Sequence, residues 1–158
     1  MRLEGSCCCG AVRFSVVAHA PIPYLRCYCS ICRKTAGTGG YAMNLGARMS
    51  TLNVDGGDHV TMFYAGIEGE YSRVERSFCR HCGTALWLRD PQRPDLVHPF
   101  AGAIDTPLPK PPEQVHAMLG AKANWVRLDV KMGERRYEGP APQSIETWHQ
   151  QHELLDEA

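Results

Sequence analysis

The eight cysteines of this 158-residue chain fall into three tight groups, and their spacing restricts the fold more than any other feature. Cys7, Cys8 and Cys9 are contiguous in "GSCCCG", Cys27, Cys29 and Cys32 are threaded through "RCYCSICRKTAG", and Cys79 and Cys82 frame "CRHC". So many thiols imply a disulfide framework, redox pairs or metal. The start, "MRLEGSCCCG", has no apolar core of signal-peptide length, and no apolar run approaches the roughly 18 residues of a membrane span. The expected compartment is therefore the cytoplasm, where thiols stay reduced. That disfavours disulfides and makes metal the leading explanation. A redox CxxC, at Cys29 and Cys32 or at Cys79 and Cys82, is the rival.

The late pair reads as half a zinc knuckle. Gly83 directly after Cys82 frees the backbone for a sharp turn and lets amides point at the thiolates. Phe78 before it and Leu86 and Leu88 after it alternate, which places the pair at the tip of a β-hairpin. Four-coordinate zinc needs two more ligands. In residues 11–17, Val12, Phe14 and Val16 share one face of a strand; if the cysteines belong to the start of that strand, Cys7 and Cys9 project together and Cys8 opposes them. Cys7, Cys9, Cys79 and Cys82 then make a closed structural site.

Cys27, Cys29 and Cys32 remain. Residues 24–29 read as a short strand and "SICRKTAG" as a turn or single helical turn stopped by Gly37, so CxC followed by CxxC can wrap three thiolates around one ion. Three protein ligands and an open position describe a catalytic zinc. A second structural zinc, completed by Cys8 or a distant histidine, fits the same spacing. With 17 basic and 17 acidic residues the formal net charge is zero, and no one-sided basic patch points to nucleic acid.

In this order, "GSCCCGAVRF", "CYCSICRKTAG" and "RSFCRHCGT" resemble the glutathione-dependent formaldehyde-activating enzyme family, which includes relatives of centromere protein V. "FAGAID" at residues 100–105, the prolines through Pro112, and the spacing of His116, Lys122 and Trp125 agree with it, over about residues 5–128. The resemblance implies a mainly β fold, a β-tent of antiparallel sheets joined by zinc knuckles, and the chain length suits one domain over residues 1–158. It implies two zinc ions per chain, one structural on Cys7, Cys9, Cys79 and Cys82, and one with an open position on Cys27, Cys29 and Cys32. The implied activity is that of a carbon–sulfur lyase resembling S-(hydroxymethyl)glutathione synthase, joining a glutathione-like thiol to a small aldehyde. Arg33 and Lys34 are candidates to receive the carboxylates of such a thiol, and a solvated basic turn fits them equally. Tyr28, where many relatives carry histidine, is expected to line the pocket rather than do acid–base chemistry, with packing against the sheet as the alternative. The alternative is a non-catalytic module with two structural zincs that binds a partner.

Elsewhere, residues 18–24 form a proline-bearing connection, and "GGYAMNLGA", "HVTMFYAG", "EYSRVERSF" and "DLVHPFAGAID" read as strands. "QVHAML" is a helical turn by period, but the resemblance favours a strand. A C-terminal helix is expected over residues 143–157, capped by Ser144, with Ile145, Trp148, His152 and Leu155 as its apolar stripe and His149 and His152 as surface histidines.

Overall fold

The computed structural model describes residues 1–18, 24–67 and 69–153, without the side chains of Ile145 and Glu146. The proline-bearing connection falls almost wholly outside these residues, as does Leu155 of the expected stripe. In chain order the elements begin with β1 (Arg2–Ser6), β2 (Arg13–Val17), β3 (Tyr24–Cys27), α1 (Ser30–Ala36), β4 (Ala42–Asn44), β5 (Ala47–Arg48), β6 (Asn53–Asp55) and β7 (Val60–Ile67). They continue through β8 (Glu70–Cys79), β9 (Ala85–Arg89), β10 (Leu96–Pro99), β11 (Gln114–Ala117), β12 (Arg135–Arg136) and α2 (Ile145–Gln151). No helix among the described residues is long and apolar enough to cross a membrane.

The chain forms two compact units, each assembled from two separate stretches. The first comprises Met1–Ala18 and Gly46–Leu108. It holds a three-stranded sheet, ordered β1-β2-β6, and a five-stranded sheet, ordered β5-β10-β9-β8-β7, with every pairing antiparallel. Its core follows the expected alternation: Val12, Phe14 and Val16 are buried with Leu3, Leu86, Trp87 and Val97. The rings of Phe14 and Trp87 meet edge to face at 5.1 Å, a favourable arrangement for aromatic quadrupoles. The "FAGAID" segment leaves β10 through a short 3-10 turn, and Asp105 N donates to Glu4 O at 2.8 Å.

The second unit comprises His19–Leu45 and Pro109–Ala158, around a four-stranded sheet ordered β12-β11-β3-β4. The fold is mainly β, as the sequence implies, and here it carries an unanticipated feature. β3 and β4 are antiparallel, but β11 lies parallel to both β3 and β12. Parallel neighbours need a long connection, and the chain between β3 and β11 supplies one by building most of the first unit. The "QVHA" of "QVHAML" is strand β11, where helical period alone would have misled, and Leu119 begins a 3-10 turn. "SICRKTAG" forms the seven-residue α1, longer than one turn. α2 starts as expected, with Ser144 Oγ accepting from Thr147 N at 3.0 Å. Trp148 packs inward, and His149, expected at the surface, is buried with it.

Candidate functional site

The first cysteine group sits in the first unit and is built from two hairpin turns. β1 ends at Ser6, so Cys7 to Gly10 form the turn between β1 and β2, with Gly10 N donating to Cys7 O at 2.9 Å. This corrects the reason given above for the convergence of Cys7 and Cys9. They meet because a turn folds them together, not because a strand alternates. The second turn joins β8 to β9, where Gly83 N donates to Cys79 O at 2.8 Å. Both turns close on a glycine in the left-handed region, Gly10 at φ 75° and Gly83 at φ 74°, a conformation costly for other residues.

The four sulfurs of Cys7, Cys9, Cys79 and Cys82 lie within 4.8 Å of one another, with Cys7 and Cys79 buried and Cys9 and Cys82 exposed. Cys7 Sγ is 3.5 Å from Cys9 Sγ and accepts from Val12 N at 3.2 Å. Cys8 is exposed and outside this group. The Thr84 hydroxyl clasps the turns: it accepts from Cys8 N at 3.1 Å and stands 3.1 Å from Cys82 Sγ. That hydroxyl, with the Thr84 and Cys9 amides, pulls the Cys82 thiol down to about 5. Cys9 is drawn down by the Ala11 amide, but its bond to Cys7, burial and the remaining thiols push it up to about 12. Crowded thiols cannot all ionise unaided, and a central dication would allow it.

The second group sits in the second unit. Cys27 ends β3, Cys29 caps the N-terminus of α1, and Cys32 lies in its first turn. Cys29 Sγ accepts from Cys32 N at 3.3 Å, and Arg33 N donates to Cys29 O at 3.0 Å, so the helix start fixes the CxxC. These three sulfurs also lie within 4.8 Å of one another, and no fourth ligand joins them among the described residues. Hydrogen bonding to Cys29 and Cys32, then burial, push the Cys27 thiol far above its ordinary value. None of the eight cysteines is in a disulfide.

Of the expected substrate contacts, Lys34 is exposed, and Arg33 is half-buried with its Nε lacking a hydrogen-bond partner. Tyr28 is packed in the interior, as in the alternative reading, rather than lining a pocket. It is 1% exposed, and its hydroxyl lies 2.9 Å from Nδ1 of His116, itself fully buried. The ring sits 5.2 Å from that of Tyr41 and stacks on His116 at 5.8 Å, so it lines no open surface. His116 Nε2 is 3.1 Å from Glu134 Oε2, which also accepts from Lys131 N at 3.0 Å. Burial alone would raise the Glu134 carboxyl, but the Lys131 amide and His116 outweigh it and hold it below its ordinary value. Burial also pushes the Tyr28 phenol up. Sequence reasoning missed this grouping. His116 stood out only through its spacing to Lys122 and Trp125, which says nothing of Tyr28, and Glu134 carries no motif.

The model of the glutathione-dependent formaldehyde-activating enzyme family matches residues 2–119, a stretch containing all eight cysteines. The chain belongs to this family. A Halomonas elongata protein, provisionally named a glutathione-dependent formaldehyde-activating enzyme, is 54% identical over 149 residues, covering 94% of this chain and 95% of the relative. Among solved structures, a Rhodobacter sphaeroides protein is 24% identical and superposes with a TM-score of 0.55, over 87% of this chain and 99% of that one. At that identity the likeness speaks for the fold alone. Among the described residues, these two cysteine groups are the ones that could hold a metal ion.

Proposed function

We propose that this protein is a zinc-dependent carbon–sulfur lyase that reversibly joins a glutathione-like thiol to a small aldehyde at the Cys27, Cys29 and Cys32 cluster. One observation carries the reading: among the described residues, the first group gathers four sulfurs and the second three. The donor sets suit zinc, which takes thiolates at tetrahedral sites. Cys7, Cys9, Cys79 and Cys82 fill every position and would hold a structural ion. Cys27, Cys29 and Cys32 would hold one with a place left for substrate. Zinc bound there would favour the thiolate form of a substrate thiol at neutral pH.

The remaining work falls to the chain. Arg33, whose Nε is buried without a partner, and Lys34 on the same helix offer cations to the carboxylates of a glutathione-like molecule. The substrate sulfur adds to the aldehyde carbon, forming the C–S bond as the C=O π bond breaks. The carbonyl oxygen gains the proton that the thiol lost, giving a hemithioacetal. The reverse step cleaves the same C–S bond. The relative's name points to formaldehyde and glutathione as the pair, and the expected compartment is the cytoplasm.

The test is to load the chain with cobalt(II), titrate glutathione, and follow the visible ligand-field bands. We expect a change confined to one of two bound ions, and hemithioacetal exchange in NMR faster than the uncatalysed background. Two ions with no spectral response to thiol would point instead to a non-catalytic module.

A further inference from the structure

Tyr28 lies directly between two proposed ligands, yet the proposed chemistry gives it no task. Its surroundings define one. The Glu134 carboxylate can only accept, so it takes the proton of His116 Nε2, and Nδ1 is left as an acceptor. In the neutral imidazole the Tyr28 hydroxyl then donates to Nδ1, across 2.9 Å. The Tyr28 hydroxyl also accepts from the Arg26 side chain, whose charge offsets part of the effect of burial on the phenol. The backbone is tied as firmly: Tyr28 N donates at 3.0 Å to the carbonyl of Ala117, the residue after His116. β11 therefore grips Tyr28 at its amide and at its hydroxyl. With Cys27 and Cys29 its immediate neighbours, a displacement of Tyr28 moves both sulfurs.

We infer that Glu134, His116 and Tyr28 form a positioning chain that fixes the spacing of Cys27 and Cys29, and so sets the metal affinity of the three-cysteine cluster. This rests on reading that cluster as a metal site. A site with three protein ligands depends strongly on their prior arrangement, since no fourth thiolate corrects a misplaced one. Hydrogen-bonded partners of ligands typically contribute about 10–100-fold in metal affinity. Here the influence passes through the backbone of the CxC segment, so the lower end, about 10-fold, is expected.

The experiment compares the full-length wild type with Tyr28→Phe, His116→Ala and His116→Asn, using zinc competition against a chromophoric chelator to resolve two affinities per chain. Tyr28→Phe and His116→Ala should each weaken the weaker site about 10-fold and leave the tighter site unchanged. His116→Asn keeps an acceptor near the Nδ1 position and should recover most of the loss. Cobalt(II)-to-thiolate charge-transfer bands should shift for the same site in the same variants. If His116→Ala fails to fold, Tyr28→Phe, which loses one oxygen atom, decides the matter. Two zincs in wild type with the variants' weaker site within twofold of it would overturn the positioning chain and leave the metal reading intact. A wild type that binds a single ion would overturn both. Equal weakening of both sites, or an asparagine no better than alanine, would show a merely structural role and overturn the inference.

Discussion

Cys29 has two roles in this structure, proposed metal ligand and observed helix cap, and substitution can separate them. Its Sγ accepts from Cys32 N at 3.3 Å, at the position where serine is among the best residues. Cys29→Ser should therefore keep the cap and lose the second metal, whereas Cys29→Ala should lose both. An N-cap contributes about 1 kcal/mol. In a chain of this length that corresponds to about 2–4 °C in Tm. The metal itself, at a free concentration a hundredfold above its Kd, would add about 2.7 kcal/mol to wild type, or roughly 5–11 °C. The expected order is wild type, then Cys29→Ser lower by roughly 5–11 °C, then Cys29→Ala lower by a further 2–4 °C or so. Circular dichroism melts in zinc-buffered solution, with elemental analysis of each protein, read both quantities. Removing free zinc should lower wild type and leave the serine–alanine gap unchanged, because both variants have already lost the ion. Equal melting of serine and alanine would refute the cap, and two retained zincs in Cys29→Ser would refute the ligand.

Cys79→Ser should be far more damaging than Cys29→Ser. Structural zinc contributes roughly 10–16 kcal/mol of apparent binding energy in small domains, comparable with a whole domain's stability of about 5–15 kcal/mol. Loss of the folded circular dichroism spectrum or aggregation on expression is the expected result, and a Tm within a few degrees of that of Cys29→Ser would contradict the division of roles. Cys8→Ala should retain two zincs by elemental analysis, because the exposed Cys8 side chain lies outside the sulfur cluster. Asp90 accepts from Arg73 Nε and a terminal nitrogen, both at 2.9 Å, and this pairing holds its carboxyl below the ordinary 3.8 despite burial. The stability it contributes is present above the unfolded value and lost as pH falls through the lower folded one. With the Arg73 side chain 59% exposed, Asp90→Asn should cost only about 0.5–1 kcal/mol in urea unfolding, unchanged from pH 8 to pH 5; a difference that varies over that range would refute the pairing.

What could be read directly was chemistry that depends on near neighbours. CxC, CxxC and a following glycine are local patterns, so the pairing of Cys79 with Cys82 at a hairpin tip and the grouping of Cys27, Cys29 and Cys32 could be seen in the chain itself. The alternation of Val12, Phe14 and Val16 likewise showed its strand, because burial on one face imposes a period of two. β1 was missed because "RLEGS" offers one large apolar side chain and a glycine, too little to display a period. Its absence from the reading also hid the turn that brings Cys7 and Cys9 together.

The rest was decided by contacts between residues far apart in sequence. Nothing local makes "QVHA" a strand parallel to β3, since that pairing depends on where the chain returns after building most of another unit. Tyr28, His116 and Glu134 carry no joint signature, being separated by 88 and 18 positions. Seen alone, a tyrosine between two thiolates suggests a pocket wall. Only the register that sets β11 beside β3 brings a buried imidazole to its hydroxyl and turns it inward. Metal-ligand spacing is written in short segments because the cysteines of each segment must reach one ion. A buried hydrogen-bond chain can be assembled from any residues the sheet brings together, so only the tertiary structure reveals it.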